Sequence, residues 1–375
     1  MSERGEPGRE KGPGDVILKK YIIIKYLGGM ESVYLVQERI GKKRKYIAKH
    51  VKPENENIQE FETWFERQYN NWMQIARHRY IVRPVAIRKD PSENITYFFT
   101  EYIPGRNVYE IVTDGASQGR ISYPQMLRWA QQIAEALEYT TNAKLNGMGA
   151  FVHRDLGASN VLISHTGEVK IIDWGISKDL DAVEEIEDGH TVSQFTKKLL
   201  GRSNCMPPEF FPPGKGKDYG VPGDVYFFGT LLYFMLTGEY ANPVAKSEEL
   251  NQNATSEKQV CYELSKYHQE TAFPKLRSVC PDSEFVNFLE DCINVDRARR
   301  IQDFTEVMKR LEQLQCQFEQ KARKANYYVC SKCHFVTEKA QTTCPVCDQQ
   351  DVFSLWSETT IPQVDVIPPA PPTAP

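Results

Sequence analysis

From Tyr21 the chain alternates apolar runs with short polar breaks. The stretch "YIIIKYLGGMESVYLVQERIGKKRKYIAKHV" holds three runs rich in β-branched and aromatic residues, separated by a glycine pair and a charged segment. That pattern predicts strand, loop, strand, turn, strand. "GKKRK" at 41–45 has the charge of a nucleic-acid or targeting patch, but between two strands it reads as a solvated hairpin turn. Next, "IQEFETWFERQYNNWMQIARH" places Phe61, Phe65, Tyr69, Trp72 and Ile75 at spacings of three and four, the stripe of a helix lying on a sheet. "NITYFFTEYI" returns to strand composition and ends at the turn "PGRN". From there to residue 320 the pattern is mostly helical, as in "MLRWAQQIAEALEYTTNA", "VYFFGTLLYFMLTG" and "FTEVMKRLEQLQCQF". A strand-rich first third and a helix-rich remainder predict an α+β chain of two lobes with a cleft between them.

Composition changes this picture mainly at the two ends. The 375 residues are 41% hydrophobic and 26% charged, enough to bury a large core. Residues 1–17 open on a Gly-, Glu- and Arg-rich stretch with little to bury and are expected to be a disordered lead. Six prolines in the last fourteen residues predict an extended, unpacked tail over 358–375. A net charge of −4 argues against a protein that coats nucleic acid. No run approaches the ~18 apolar residues of a membrane span, and "MSERGEPGREKGPGD" lacks the apolar core of a signal peptide. The expectation is a cytoplasmic protein with no membrane partner.

Five of the nine cysteines are scattered singly, while Cys330, Cys333, Cys344 and Cys347 form the pairs "CSKC" and "CPVC" ten residues apart. This suits a reducing compartment and one metal site better than a disulfide framework. The spacing resembles zinc ribbons, in which two thiolate pairs on tight turns converge on one structural, tetrahedral Zn2+; iron competes for the same ligands. The predicted ribbon spans 329–357, after a linker at 319–328. Its few basic residues favour a protein partner over nucleic acid, with Phe335, Phe353 and Trp356 as contact points or as the small module's own core.

Between the predicted strands and helices lie four short motifs in a fixed order: "YIAKHV", "HRDLGASN", "IIDWGIS" and "MPPEFF". Together they resemble the eukaryotic-type (Hanks) protein kinase family over roughly residues 18–315, matching its V-A-I-K, H-R-D-L-x-x-x-N, D-F-G and A-P-E motifs. The resemblance implies a bilobal fold, with a β-rich N-lobe at 18–104 and a helical C-lobe at 105–318. It also implies an ATP- and Mg2+-dependent transfer of phosphate to protein hydroxyls, serine or threonine. In that family's terms Asp155 orients the acceptor hydroxyl and takes its proton, Asn160 and Asp173 hold Mg2+, and Lys49 holds the α- and β-phosphates. Thr100 is the gatekeeper, the backbone of Glu101 and Ile103 meets the adenine edge, and Val33 and Leu162 enclose the ring. Asp224 braces the catalytic loop, and Glu209 and Arg300 form a buried ion pair.

The chain also departs from the family pattern. The phosphate-covering loop reads "YLGGMESV", with Tyr26 and Glu31 in the outer glycine positions, so backbone approach falls to Gly28 and Gly29. Glu31 is expected to face solvent, because at about 6 Å from a phosphate charge it would be repelled by roughly 3 kcal/mol. Gln68 stands where a glutamate partner of Lys49 is expected; either it makes a weaker bond or the helix turns and Glu66 substitutes. Gly157 replaces a phosphate-binding lysine, a loss of about ten- to a hundredfold in rate. The acidic run "DLDAVEEIEDGH" is either a solvated face or a partner for Arg154, in which case phosphate on Thr191, Ser193 or Thr196 would compete for that arginine. Two other readings stay open: a nucleotide-binding scaffold without catalysis, which signals through the ribbon, and a kinase of small molecules.

Overall fold

The computed structural model describes residues 11–28, 32–50, 66, 69–114, 119–142, 150–174, 178–179, 203–211, 219–280, 282–322, 327–339 and 341–355. The first lobe is a six-stranded antiparallel sheet of β1 (Val16–Ile17), β2 (Tyr21–Gly28), β3 (Ser32–Glu38), β4 (Lys45–His50), β5 (Pro84–Asp90) and β6 (Ile95–Glu101), in the order β1-β2-β3-β4-β6-β5. Side chains alternate across a strand, and β6 uses both faces of the sheet. Tyr97 and Phe99 pack with Ile17, Tyr21, Ile23, Tyr34, Val36 and Ala48 on one face. Phe98 points the other way, 5.3 Å from the Trp72 ring, and joins the cluster that holds Ile75. Trp72 and Ile75 lie in the helical stretch over 69–75, so this part of the predicted stripe covers the sheet, while Phe61 and Phe65 lie outside the described residues. The charged segment at 41–45 is exposed; 41–44 lie in the β3–β4 turn, with Gly41 and Lys43 at φ 88° and 54°, and Lys45 opens β4.

The disordered lead was drawn too long. Val16 and Ile17 pair with Ile22 and Tyr21, the Gly14 amide donates to the Ile23 carbonyl at 2.9 Å, and Ile17 is 1% exposed. A two-residue strand is too short to show a period, which is why composition hid it.

The second lobe is built on helices α1 (Val108–Thr113), α2 (Tyr123–Thr141), α3 (Val221–Thr237), α4 (Val244–Asn253), α5 (Glu257–Tyr267), α6 (Phe273–Val279), α7 (Ser283–Cys292) and α8 (Phe304–Ala322). From Val225 to Leu236 every residue of α3 is buried, as expected of a helix that is apolar all round. A three-stranded sheet, β10-β9-β7, made of β7 (Gly105–Asn107), β9 (Val161–Ser164) and β10 (Val169–Ile171), buries Val161, Ile163, Val169 and Ile171 in the core cluster of these helices. A two-residue strand β8 (Phe151–Val152) pairs with β11 (Lys178–Asp179).

The cysteine-rich segment forms a sheet of β12 (Tyr328–Cys330), β13 (Val336–Thr337) and β14 (Phe353–Leu355), in the order β13-β12-β14. The linker expected at 319–328 has its two ends in ordered elements: helix α8 runs on to Ala322, Tyr328 already belongs to β12, and the Tyr327 ring lies 6.0 Å from Phe318, while 323–326 lie outside the described residues. The ribbon is seated on α2. The Ser122 hydroxyl donates to the Val336 carbonyl at 2.5 Å, the Val336 amide to Gln125 Oε1 at 2.8 Å, and Arg128 to the His334 carbonyl at 2.7 Å. Phe335, read as a partner contact or as the module's core, is a core residue shared with the C-lobe: it is 3% exposed and 6.0 Å from the Trp129 ring. Trp356 and the Pro-rich tail lie outside the described residues.

Candidate active site and metal cluster

Three chain segments converge at the mouth between the lobes. β4 presents Lys49, whose neighbours in the sheet are Val33 and Phe98. β8 leads into the loop that carries His153 to Asn160, and β10 ends two residues before Asp173. Lys49 Nζ is 2.9 Å from Asp173 Oδ1, so residues 124 positions apart in sequence form one ion pair. Asn160 donates its amide to the Asp155 carbonyl at 2.8 Å and to Asp155 Oδ2 at 3.1 Å. These bonds fix Asp155 and direct the amide nitrogen of Asn160 at it, which leaves the carbonyl oxygen on the opposite side of that side chain. With the Asp173 carboxylate, this is the oxygen donor set that a hard divalent cation takes.

The loop owes its shape to buried polar bonds. Asp224, in the first turn of α3, accepts from the backbone amides of His153 at 2.6 Å and Arg154 at 2.8 Å, and from the Tyr219 hydroxyl. Burial pushes the Asp224 carboxyl up to about 6, against the pull of those donors and of the Arg154 charge. His153 accepts from the Asp155 amide at Nδ1, 3.2 Å away, and sets Nε2 3.2 Å from the Ile172 carbonyl. Its ring lies 4.4 Å from Trp174, which is fully buried and anchors the segment from the position next to Asp173. Arg154 and Asp173 both sit at positive φ, 67° and 62°, a conformation that costs a non-glycine residue energy and clusters at functional sites. Glu209 and Arg300 form the buried pair, bidentate at 2.8 and 3.1 Å.

At the sheet edge Gly28 has φ 81°, which a side chain would strain, and it faces Val33 across the β2–β3 pair. Leu162 lies opposite Lys170 and Asn107 in the small sheet. The Glu101 amide donates to the Arg83 carbonyl at 3.0 Å, so the part read for Glu101 narrows to its carbonyl, while Ile103 follows the end of β6. Thr100, which precedes Glu101 on β6, pairs with Ile47 of β4. Glu66 does not stand in for the Lys49 partner. It is exposed and lines a groove with Tyr69, Asn70 and Val85–Arg88. Gly29, Glu31, Gln68, the acidic run beyond Asp179 and Thr191, Ser193 and Thr196 lie outside the described residues. The half-buried Arg154 sets its guanidinium between the rings of Phe210 and Tyr219, 5.6 and 5.5 Å from their centroids, and desolvation of the charge lowers its pKa. No sequence signal marked Tyr219, which reads as one more core aromatic until its hydroxyl is seen on Asp224.

The second cluster is the four cysteines. All are buried, and their sulfurs lie within 4.8 Å of one another. Cys330 and Cys347 approach to 3.7 Å, and Cys333 and Cys344 to 3.5 Å, too far for disulfides. A tetrahedral ion with bonds of about 2.3 Å sets its sulfurs about 3.8 Å apart, so the donor set fits one such ion. The Lys332 amide donates to Cys330 Sγ at 3.4 Å, the bond of a metal knuckle. Sulfurs this close resist ionising together. The bond to Cys344, burial and that neighbour's charge raise the Cys333 thiol, and burial raises Cys347 to about 11. A bound cation removes that conflict.

Comparison with known proteins covers most of the chain. Relatives include a probable serine/threonine-protein kinase of Clostridium acetobutylicum, 27% identical over 228 residues. The serine/threonine-protein kinase PrkC of Bacillus subtilis is 27% identical over 227 residues. In both cases 60% of this chain aligns with 31% of the relative, so the chain spans about a third of their length. Mitogen-activated protein kinase kinase 7 of Arabidopsis thaliana is 25% identical over 240 residues, 63% of this chain and 68% of the relative. Residues 27–311 match the model of the protein kinase domain, a stretch that begins at the end of β2, ends in α8 and contains Lys49, Asp155, Asn160, Asp173, Asp224 and Arg300. With three quarters of its length matched, and with the motifs in register, the chain belongs to the protein kinase domain family.

Proposed function

We propose that the chain is an ATP- and Mg2+-dependent protein kinase that transfers phosphate to serine or threonine hydroxyls. The observation that carries this reading is the convergence of Lys49, Asp155, Asn160 and Asp173 from distant parts of the sequence on one loop braced by Asp224. Names of the bacterial relatives support the choice of acceptor. Asp155 is the base: it orients the acceptor hydroxyl and takes its proton as the oxygen bonds to the γ-phosphorus and ADP leaves. Asn160 and Asp173 are the Mg2+ ligands, and Lys49 is the phosphate-binding cation. Bound Mg2+ supplies charge neutralisation on the phosphates. The adenine is assigned to Glu101 and Ile103, with Val33 and Leu162 on its faces and Gly28 and Gly29 near the phosphates. Phosphate on Thr191, Ser193 or Thr196 would reach Arg154.

The four cysteines are assigned a structural Zn2+, for which the sulfur spacing and the closed set of ligands are the support. A protein partner at the ribbon would be left with its outer edge, where Leu355 is half-exposed, since Phe335 is committed to the C-lobe. Among the described residues no helix is long and apolar enough to cross a membrane. Cysteines that are all free support the reducing cytoplasm as the compartment.

Transfer of labelled γ-phosphate from ATP with Mg2+, to a generic protein and to the chain itself, tests the reading. Asp155→Ala is expected to lose at least about a hundredfold in rate while keeping nucleotide affinity. Nucleotide binding with no transfer by the unmodified chain would favour the scaffold reading instead. Transfer to an aminoglycoside in preference to proteins would favour the small-molecule one.

A further inference from the structure

The ribbon touches the kinase core at one particular place. Strand β9 starts directly after Asn160, β10 ends two residues before Asp173, and the turn over 165–168 joins them. The base of this hairpin is closed by the Ile172 amide, which donates to the Asn160 carbonyl at 2.9 Å. Its tip rests on the ribbon: a Cβ built on Gly167 would overlap the Cys333 carbonyl oxygen. A four-residue strand is ~13 Å long, so a cysteine backbone of the metal cluster and the pair Asn160 and Asp173 lie at opposite ends of one short, hydrogen-bonded hairpin.

The second knuckle grips the neighbouring strand. Arg106 of β7 pairs with Ile163 of β9, and its guanidinium donates to the Pro345 carbonyl at 3.1 Å. Helix α2 closes the circuit: Trp129 Nε1 reaches the Gly167 carbonyl at 3.3 Å, Gln132 accepts from the Val169 amide at 2.8 Å, and Arg128 holds the His334 carbonyl. His334 and Pro345 each follow a cysteine of the cluster directly. What the hairpin and α2 hold is therefore mostly the main chain of the knuckles, whose path is set by the convergence of four sulfurs on one point.

We propose that the four-cysteine site controls the nucleotide site: metal in the ribbon fixes the β9–β10 hairpin, and through it the placement of Asn160 and Asp173. The proposal rests on the reading of those two residues as Mg2+ ligands and of the cysteines as a metal site. It makes Gly167, Arg106 and Arg128 positioning residues of the kinase although none lies at the mouth of the cleft. The ribbon is then a part of the catalytic machine that answers to metal supply.

The test uses the full chain, loaded with Zn2+ or stripped of it under reducing conditions and then freed of chelator. Metal content, amide hydrogen exchange over 161–173 and affinity for Mg2+-ATP are measured in both states. Stripping is expected to speed exchange in the hairpin roughly tenfold, with a matching loss of Mg2+-ATP affinity. Arg128→Met, which keeps all four cysteines, is expected to retain one zinc and shift both readouts in the same direction by a smaller factor. Loss of zinc with exchange and affinity unchanged would overturn the coupling alone. A chain that takes up no zinc would overturn the metal reading beneath it, and one that exchanges differently but never binds Mg2+-ATP would overturn the nucleotide reading. If stripping unfolds the whole chain, Arg128→Met decides: unchanged exchange in a folded, zinc-loaded variant overturns the proposal.

Discussion

Asp224 and His268 are both fully buried in the C-lobe, and burial moves them in opposite directions. Asp224 rises from an ordinary 3.8 to about 6. His268, whose Nε2 lies 2.9 Å from Asn242 Oδ1, falls from 6.5 to about 4. Between pH 4 and 6 the folded protein keeps a proton on Asp224 that the unfolded chain has released. Stability from this group is full below 3.8 and is lost as pH rises through 6, at about 1.4 kcal/mol per pH unit and roughly 3 kcal/mol in all. His268 works the other way, because the unfolded chain binds a proton that the folded protein rejects. Its contribution is full above 6.5 and is lost as pH falls through 4. The two slopes therefore oppose each other over pH 4–6. Urea unfolding at pH 4.5, 5 and 5.5 checks this: relative to the unmodified chain, Asp224→Asn should gain stability with rising pH and His268→Gln should lose it, each by about 1.4 kcal/mol per unit. Slopes that stay parallel in all three proteins would mean that neither group titrates as its burial demands.

Among the elements, α3 shows how a helix can be plain in sequence while its packing is not. Its long apolar run announces a buried helix, yet nothing in the run says why a glycine, Gly229, stands in its middle. A Cβ there would meet Ile293 Cγ2 at 2.5 Å and Cys292 Cβ at 2.8 Å, the end of α7 and the residue after it. Alanine is the better helix former by about 1 kcal/mol. Overpacking against atoms that cannot swing away costs about 1–3 kcal/mol, so Gly229→Ala is expected to be destabilising by about 1 kcal/mol in net, read as a lower denaturation midpoint at unchanged slope. An unchanged or higher midpoint would show that α3 and α7 can part without cost. The same division runs through the site. Asp155 and Asn160 were legible because their chemistry is packed into one eight-residue motif, and Lys49 and Asp173 because their own short motifs flank it, one before and one after. The Tyr219 bond to Asp224, the two-residue strand at Val16–Ile17 and the commitment of Glu66 to the outer groove were not. Each depends on a contact made by a residue whose type is ordinary for its neighbourhood.

At the scale of the whole molecule, the division into a kinase and an appended ribbon follows composition but not packing. The boundary looked clean because Ser122, Gln125 and Arg128 are what any half-exposed helix carries, and α8 ends in polar residues. The structure puts those three side chains on the ribbon's backbone and Trp129 against Phe335. A chain ending at Ala322 keeps every helix of the C-lobe but loses these partners. Three hydrogen bonds at about 1 kcal/mol each and a buried aromatic at about 2 kcal/mol come to roughly 5 kcal/mol. For a chain of this size that is a fall in melting temperature of order 10 °C. A chain ending at residue 357 is expected to melt with the full protein. The uncovered face of α2 should also bind an apolar dye in the shorter chain and not in the longer one. Equal melting temperatures and equal dye binding for the two truncations would restore the ribbon to an independent module. A large difference would mean that the folding unit of this protein is kinase and ribbon together, extending past the end of the protein kinase match at residue 311.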